Sequence, residues 1–175
     1  MIFIPSKTAY IRNDQGKDFA FSDRQRLHML ETVAADHSWM EVSDHELAAA
    51  RQPRTYDTLC WLRSRGYELE LLMGSDKLPE LETGWRHVQE IAEEFGFAVM
   101  ARNDEDVEAL IAADPYLHAL RPHLHIVRTP AQWQHVSSSA VRRAIAGGCL
   151  ETVSDMIPPE LDGLKEYLHS KETSL

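Results

Sequence analysis

Five short apolar runs alternate along the chain with segments in which apolar residues recur every three or four positions. Apolar runs of this length, bounded by turn residues, predict buried strands, and the three-to-four spacing predicts amphipathic helices. The predicted strands cover residues 2–4, 39–42, 68–73, 97–100 and 124–127. The predicted helices cover residues 22–34, 55–65, 85–95, 104–113, 137–146 and 158–169.

Several predicted helices have capping residues at their ends. Ser22, followed three positions later by Gln25, predicts a capping box at the start of a helix. Gly66 and Gly96 follow predicted helices at the position where glycine commonly ends them. Residues 6–20 are mostly polar and lack an apolar period, so we predict a loop there.

Strands that alternate with helices indicate an α/β fold. Short, mainly apolar strands further indicate a parallel sheet covered by helices on both faces. We predict a single Rossmann-like domain over residues 1–175. Because ligands of such folds lie outside the carboxyl ends of the strands, we expect binding residues in the segments that follow them: 5–20, 43–58, 74–85, 101–104 and 128–142.

The composition argues against some classes of binding partner. The formal net charge of −10 argues against a broad nucleic-acid surface, because such a surface needs clustered Lys and Arg. No apolar run approaches the roughly 20 residues of a membrane span, and the first residues do not resemble a signal peptide. Cys60 and Cys149 form no C-x-x-C pair and no disulfide framework. We therefore expect a cytoplasmic protein.

Three serines meet the predicted start of a helix at residues 137–139, and Arg142 and Arg143 follow within its first turns. Hydroxyls and free backbone N–H groups at a helix N-terminus favour an anion, and arginine adds forked donors to phosphate oxygens. This segment therefore indicates a phosphate site. The alternative is a capping serine beside solvated arginines.

The segment V-S-S-S-A-V-R at residues 136–142 resembles the I-S-S-T-x-I-R motif of the nicotinamide/nicotinate mononucleotide adenylyltransferases, which belong to the nucleotidyltransferase superfamily. The resemblance extends over nearly the whole chain, and it depends on the order and spacing of several motifs. The other matching positions are residues 3–12, the R-x-x-M of Arg26 and Met29, residues 39–43, 55–59 and 74–76, Trp85, Gly96, Arg102 and residues 158–168.

The resemblance implies two groups of binding residues. The residues implied for ATP are Gly74, Asp76, Ser138, Ser139 and Arg142. The residues implied for the mononucleotide are Tyr10, Arg12, Thr55, Trp85 and Arg102.

In the implied roles, Arg142 and the serines hold ATP phosphates, and Asp76 accepts hydrogen bonds from a ribose while Gly74 lets the backbone come close. Trp85 stacks on the pyridine ring, and Thr55 binds its carboxamide or carboxylate.

Each implied residue also has a purely structural interpretation. Residues 74–76 would form a plain turn at the end of a strand, Thr55 would cap a helix, and Trp85 would belong to the core. Tyr10 and Arg12 are implied contacts of the mononucleotide phosphate. In the structural interpretation, they would lie in a solvated loop.

The sequence departs from the family pattern at several positions. Gln52 stands where eukaryote-type members have a second stacking tryptophan, Arg12 replaces a lysine and keeps its charge, and His135 stands where an acidic residue is common. His123 and His125 lie on one side of a predicted strand, but no third ligand occurs at a telling spacing. We therefore expect no protein metal site.

Family members open with a strand and a helix carrying G-x-F-x-P-x-H-x-x-H, whose histidines stabilise the transferring phosphoryl group. This sequence contains no H-x-x-H and begins where the family's second strand begins. We therefore expect an N-terminally incomplete domain without the first strand and helix. Residues 2–4 and 69–73 would border a gap with unpaired backbone groups, each costing about 1–3 kcal/mol. We favour a truncated form over a chain that closes the gap with a partner chain or a rearranged strand.

The resemblance implies adenylyl transfer from ATP to nicotinamide or nicotinate mononucleotide, giving NAD or deamido-NAD and pyrophosphate, with Mg²⁺ bound to the ATP. Without the family histidines, we expect little synthesis by this polypeptide itself. The alternative is a catalytically inactive nucleotide-binding homologue or fragment. Pantetheine-phosphate or cytidylyl transfer fits less well, because Trp85 and Thr55 match pyridine-site features. The implied partners are ATP and the mononucleotide. The sequence leaves open whether the chain forms a homo-oligomer.

Overall fold

The computed structural model describes residues 1–13, 21–101, 106–133, 136–147, 153 and 156–161, without the side chains of residues 131, 142, 145 and 146. The strands are β1 (Ile2–Phe3), β2 (Glu41–Val42), β3 (Leu71–Gly74), β4 (Phe97–Ala101) and β5 (Leu124–Arg128).

Helices separate the strands along the chain. The α-helices are α1 (Thr8–Asn13), α2 (Asp23–Ala35), α3 (His45–Ala48), α4 (Thr55–Ser64), α5 (Leu81–Gly84), α6 (Val88–Glu94), α7 (Val107–Ala113), α8 (Pro115–Leu120) and α9 (Ser138–Ala146). Short 3-10 helices cover Ser75–Glu80, Arg121–His123, Ala131–Trp133 and Pro159–Leu161.

The chain forms two compact units, one of Met1–Pro53 with Val136–Leu175 and one of Arg54–His135. The single-domain organisation stays a prediction. Among the described residues, the first unit contains the parallel pair β1-β2, and the second contains a parallel sheet of order β3-β4-β5. The predicted α/β class with parallel strands is confirmed.

The sheet of the second unit has one buried face. Its parallel register aligns Leu71, Phe97 and Leu124 in one row, and Met73, Val99 and Ile126 in another. Helices α4 to α8 and the 3-10 helix Ser75–Glu80 supply the apolar side chains packed with these rows, and Phe97 and Ile91 are completely buried. Burying an aliphatic or phenyl side chain of this size stabilises the fold by about 1.5–3 kcal/mol. The opposite face carries the exposed Leu72 and Val127.

The first unit has a smaller apolar cluster. Buried Val153 packs with Phe21 and Val141, among others. The predicted capping box of α2 is confirmed, because Ser22 Oγ accepts from the Gln25 backbone while the Gln25 side chain accepts from the Ser22 backbone.

Residues 8–13 form a helix where a loop was predicted, so that prediction is wrong for this stretch. The Thr8 backbone N–H donates to Asp23 Oδ1 at 2.6 Å, and its hydroxyl donates to the same oxygen at 2.7 Å. A carboxylate fifteen residues away thus takes the capping role that an adjacent residue usually fills. Local pattern gives no sign of such a cap.

The helix predicted over residues 85–95 begins later, at Val88. Trp85 has an extended backbone, and His87 adopts a left-handed conformation with φ of 61°. A left-handed residue cannot continue a right-handed helix, so Trp85 lies ahead of α6. The predicted ends of α4 and α6 are confirmed: Gly66 and Gly96 follow them with φ of +90° and +78°.

Candidate functional site

Thr55 is the first residue of α4, and Arg54 occupies the cap position before it. The carboxylate of Asp57 accepts a hydrogen bond from the Arg54 backbone at 3.2 Å, which satisfies one of the free donors at this helix end. Thr55 is therefore not the capping residue of the structural interpretation. Its half-buried side chain lies in the first turn, in one of the segments where binding residues were expected.

The segment after β3 places Asp76 on the surface. Gly74 ends the strand with extended backbone (φ −76°, ψ 150°), Ser75 is buried, and Asp76 is exposed. The Asp76 carboxylate lies 3.7 Å from Lys77 Nζ, which also pairs with Glu80 at 2.8 Å. The hydrogen bond to Glu80 raises the pKa of Lys77, with a smaller contribution from Asp76. An exposed carboxylate at the carboxyl end of a strand can accept ribose hydroxyls.

Trp85 lies between α5 and α6 with an extended backbone. Its side chain is partly buried and packs against the apolar core of the second unit. The indole is therefore supported on one side and still reachable from solvent. This arrangement is compatible with a stacking platform, and it differs from a fully buried core residue.

Tyr56 connects the start of α4 to α6. Its ring stacks on the His87 imidazole, with centroids 5.1 Å apart and planes at 21°, and its hydroxyl donates to Glu94 Oε1 at 2.8 Å. The hydrogen bond with Glu94 raises the pKa of Tyr56 to about 12. Hydrogen bonds from Tyr56 and then Arg63 hold the pKa of Glu94 below its ordinary value.

Thr129 directly follows β5. It therefore lies at the carboxyl ends of the parallel strands, as Gly74 does at the end of β3. Its backbone N–H donates to the Ala101 carbonyl at 3.4 Å. Its Oγ1 is buried and has no hydrogen-bond partner among the described residues. A buried hydroxyl without a partner is costly, and it can be satisfied by a polar group of a ligand. Thr129 lies in the expected segment 128–142, which was the available signal for it.

In the first unit, Arg26 holds the segment that follows β1. Its guanidinium donates to Thr8 Oγ1 at 3.2 Å, to Asp23 Oδ1 at 2.8 Å and to the Ser6 carbonyl. Partial burial works to raise the pKa of Asp23, but hydrogen bonds from Thr8 and Arg26 outweigh it and leave that pKa below its ordinary value. The R-x-x-M arginine is thus a structural anchor.

Gln52 also holds the segment that follows β1. Its Oε1 accepts from the Lys7 backbone N–H at 2.8 Å, and its Nε2 donates to the buried Glu46 carboxylate. Ser6 Oγ also donates to Glu46, at 2.9 Å. Where eukaryote-type family members have a tryptophan, this chain has an amide that fastens a loop.

Tyr10 and Arg12 lie in helix α1. The structural interpretation, which placed them in a solvated loop, is therefore wrong. Tyr10 is half-buried and Arg12 is exposed. Residues two apart in a helix point to different sides. Their implied contact with a mononucleotide phosphate stays a prediction.

At the start of α9, the capping role falls to Ser137. Its Oγ accepts from the Ala140 backbone at 3.1 Å. Ser138 and Ser139 are the first helical residues, and both are exposed. Arg142 belongs to the same helix, but its side chain lies outside the described part of the structure.

Two further positions of the family pattern, Arg102 and His135, lie outside the described residues. Among the residues that are described, no three His, Cys, Asp or Glu side chains are grouped to hold a metal ion. In the same part of the chain, no helix has the length and apolar character that crossing a membrane requires.

The second unit thus contains Gly74, Asp76, Thr55 and Trp85, with Thr129 as a residue that sequence reasoning missed. The first unit contains the other placed site residues, which are Tyr10, Arg12, Ser138, Ser139 and the backbone of Arg142.

Parallel strands joined by helices, with polar residues after the carboxyl ends of the strands, define a class of α/β protein that binds ligands at those ends. The model of the cytidylyltransferase-like family matches residues 1–144. The chain belongs to this family and is nucleotidyltransferase-like, which confirms the resemblance drawn from its motifs.

Two relatives are named probable nicotinate-nucleotide adenylyltransferases. The one from Flavobacterium johnsoniae is 26% identical over 147 residues, which cover 83% of this chain and 70% of the relative. The one from Flavobacterium psychrophilum is 25% identical over 147 residues, with the same two shares covered.

Proposed function

We propose that this protein transfers the adenylyl group of ATP to a pyridine mononucleotide, nicotinate or nicotinamide mononucleotide, in the cytoplasm. A phosphate oxygen of the mononucleotide forms a bond to the α-phosphorus of ATP. The bond from that phosphorus to the bridging oxygen breaks, and pyrophosphate leaves. The products are deamido-NAD or NAD, and the nucleotide substrate is the Mg²⁺ complex of ATP.

The observation that carries the proposal is the environment of Trp85. An indole packed on the core along one side and still accessible can stack on a flat heteroaromatic ring. Thr55, in the first turn of α4, lies one residue from Tyr56, which stacks on His87 two residues after Trp85. The names of the two Flavobacterium relatives support the same substrate class.

The remaining residues, in each unit taken by itself, have groups that suit nucleotide binding. Asp76 and the Thr129 hydroxyl, which has no hydrogen-bond partner in the described part of the chain, can exchange hydrogen bonds with ribose or base at the carboxyl ends of the strands. In the first unit, the first-turn N–H groups and exposed serines of α9 favour phosphate oxygens. Arg142 would add a charged donor there.

A second candidate is a homologue that binds these nucleotides without turnover. The feature that favours it is the lack of any H-x-x-H among the 175 residues. In this candidate, the affinities for ATP and mononucleotide are retained while dinucleotide synthesis is absent.

One set of measurements on the purified chain tests both candidates. Calorimetric titrations use MgATP, MgCTP, nicotinate mononucleotide and nicotinamide mononucleotide, and chromatography follows dinucleotide and pyrophosphate formation. Binding with turnover supports the transferase, and binding without turnover supports the second candidate. A chain that binds neither mononucleotide contradicts both, and a preference for MgCTP over MgATP contradicts adenylyl transfer.

A further inference from the structure

The first turn of α4 is fastened to both ends of α6 by one side chain. Tyr56 stacks on His87 at the start of α6, and its hydroxyl bonds Glu94 in the last turn. Its ring also makes an edge contact with Phe95, with centroids 6.2 Å apart. The first turn of α4 is therefore attached to α6 at both of its ends.

The contact involves matching faces of the two helices. On α6, Glu90 and Glu94 stand three and seven positions after His87, which places all three on one face. His87 Nδ1 lies 3.1 Å from Glu90 Oε1. On α4, Arg63 stands seven positions after Tyr56 and donates to Glu94 Oε2 at 2.6 Å.

His87 occupies an unusual backbone conformation. Its φ of 61° lies in the left-handed region. Among the described residues, His87 is the one non-glycine residue with a positive φ. A side-chain-bearing residue in this region is strained, and such strain persists where surrounding contacts over-determine it. Here the stack on Tyr56 and the contact with Glu90 hold His87 in this conformation. The turn they fix is the one that joins Trp85 to α6.

Thr55 and Trp85 are the two residues implied for the pyridine end of the substrate. Thr55 is the immediate neighbour of Tyr56, and Trp85 lies two residues before His87. We propose that Tyr56 and His87 are positioning residues, whose stack sets the separation between Thr55 and Trp85 and so matches the site to a planar heteroaromatic ring. This inference rests on the proposed function.

A purely structural role would give the same geometry, so the test must separate affinity for one ligand from stability. His87→Asn keeps a residue that tolerates the left-handed region and a polar group for Glu90, but it lacks the stacking ring. Tyr56→Leu removes the ring on the other side. Tyr56→Phe is the matched control, because it keeps the stack and loses the hydrogen bond to Glu94.

Calorimetry measures nicotinate mononucleotide and MgATP binding to the parent chain and to the three variants, and a thermal melt follows each. We expect His87→Asn and Tyr56→Leu to weaken mononucleotide binding about threefold to tenfold, the equivalent of one aromatic pair. MgATP affinity should change less than twofold (about 0.4 kcal/mol). Tyr56→Phe should bind the mononucleotide like the parent.

Unchanged mononucleotide affinity in both ring-removing variants would overturn the inference alone, as long as the parent chain binds. Equal losses for both ligands together with a lowered Tm would also overturn it in favour of a structural role. If either variant fails to fold, the other variant and Tyr56→Phe still decide the question. A parent that binds no mononucleotide removes the proposed function, and this inference with it.

Discussion

The side-chain Oε1 of Gln52 accepts a hydrogen bond from the backbone N–H of Lys7, at 2.8 Å and across 45 positions of sequence. The Lys7 side chain donates to the Leu47 carbonyl at 2.6 Å, so the two segments are joined twice. A residue that departs from the family pattern has thus acquired a structural role. These two contacts hold the segment after β1 in place.

Replacing Gln52 by alanine should therefore lower the free energy of unfolding. The change leaves the Lys7 N–H without this acceptor, and a part-buried donor that loses its partner costs about 1–3 kcal/mol. Urea unfolding of Gln52→Ala measures the loss. Arg51→Ala, at the neighbouring exposed position, is the control and should stay within about 0.5 kcal/mol of the parent. Equal stability of the two variants would show that the amide contributes little.

Asp23 should make stability depend on pH in the acid range. Its pKa in the folded protein lies below the ordinary value of 3.8, so the folded state prefers the charged carboxylate. The stabilisation is fully present above that value and is lost as the pH falls through the lower, folded pKa. The effect is modest because the side chain is 42% exposed and solvent screens it. Unfolding of parent and Asp23→Asn should differ at neutral pH and converge on acidification, and a constant difference would contradict this origin.

Arg142→Ala should weaken MgATP binding by about 1.5–3 kcal/mol, the range for losing a charged hydrogen-bond partner. Folding should be nearly unaffected. Arg143→Ala is the matched control, because Arg143 is exposed and its Nε donates to the Ser139 carbonyl at 3.4 Å. Calorimetry on both variants gives the comparison. Equal effects would assign the interaction to general positive charge and remove Arg142 from its specific role.

Trp85→Ala should separate ligand binding from stability. Loss of a stacking contact removes about 0.5–1.5 kcal/mol of mononucleotide binding, while MgATP binding stays close to the parent value. Because the indole is only partly buried, the loss of stability should stay below the roughly 3–5 kcal/mol of a core tryptophan. Trp39→Ala, at a side chain 56% exposed, controls for general loss of aromatic surface. A large fall in Tm without selective loss of mononucleotide would assign Trp85 to the core.

Tyr56 should ionise well above the ordinary pKa of a tyrosine. Its pKa is raised from 10.0 to about 12 by the hydrogen bond with Glu94, so the folded state prefers the neutral phenol. This preference is fully present below pH 10 and is lost as the pH rises through about 12. Ultraviolet titration of Glu94→Gln should show the late ionisation moving toward 10. An unchanged titration curve would disconnect Glu94 from the phenol.

Sequence pattern was sufficient for the features that depend on local chemistry. The capping box at Ser22, the ends of α4 and α6 at Gly66 and Gly96, and the α/β class all follow from nearby residues. The missed features depend on contacts between distant positions. Helix α1 is capped by Asp23, and the turn at His87 is held by Tyr56. No local period encodes either contact.

The candidate site divides in the same way. Thr55, Asp76 and Ser138 lie at the ends of strands or the starts of helices, as their motifs suggest. Thr129 was not singled out because a lone threonine after a strand is common. Its distinguishing property, a buried hydroxyl without a partner among the described residues, becomes visible only in three dimensions.

The division into two compact units has a consequence for the order in which the parts of the protein are synthesised and fold. The unit of Arg54–His135 is one continuous stretch of chain, whereas the other combines Met1–Pro53 with Val136–Leu175. Within the latter, His37 and Glu160 meet at 3.0 Å across 123 positions, and closing so long a loop is entropically demanding. On a translating ribosome, the continuous unit is complete while the other unit still lacks residues 136–175. The segment that contains the strand pair β1-β2 is therefore synthesised well before the segment that completes its unit.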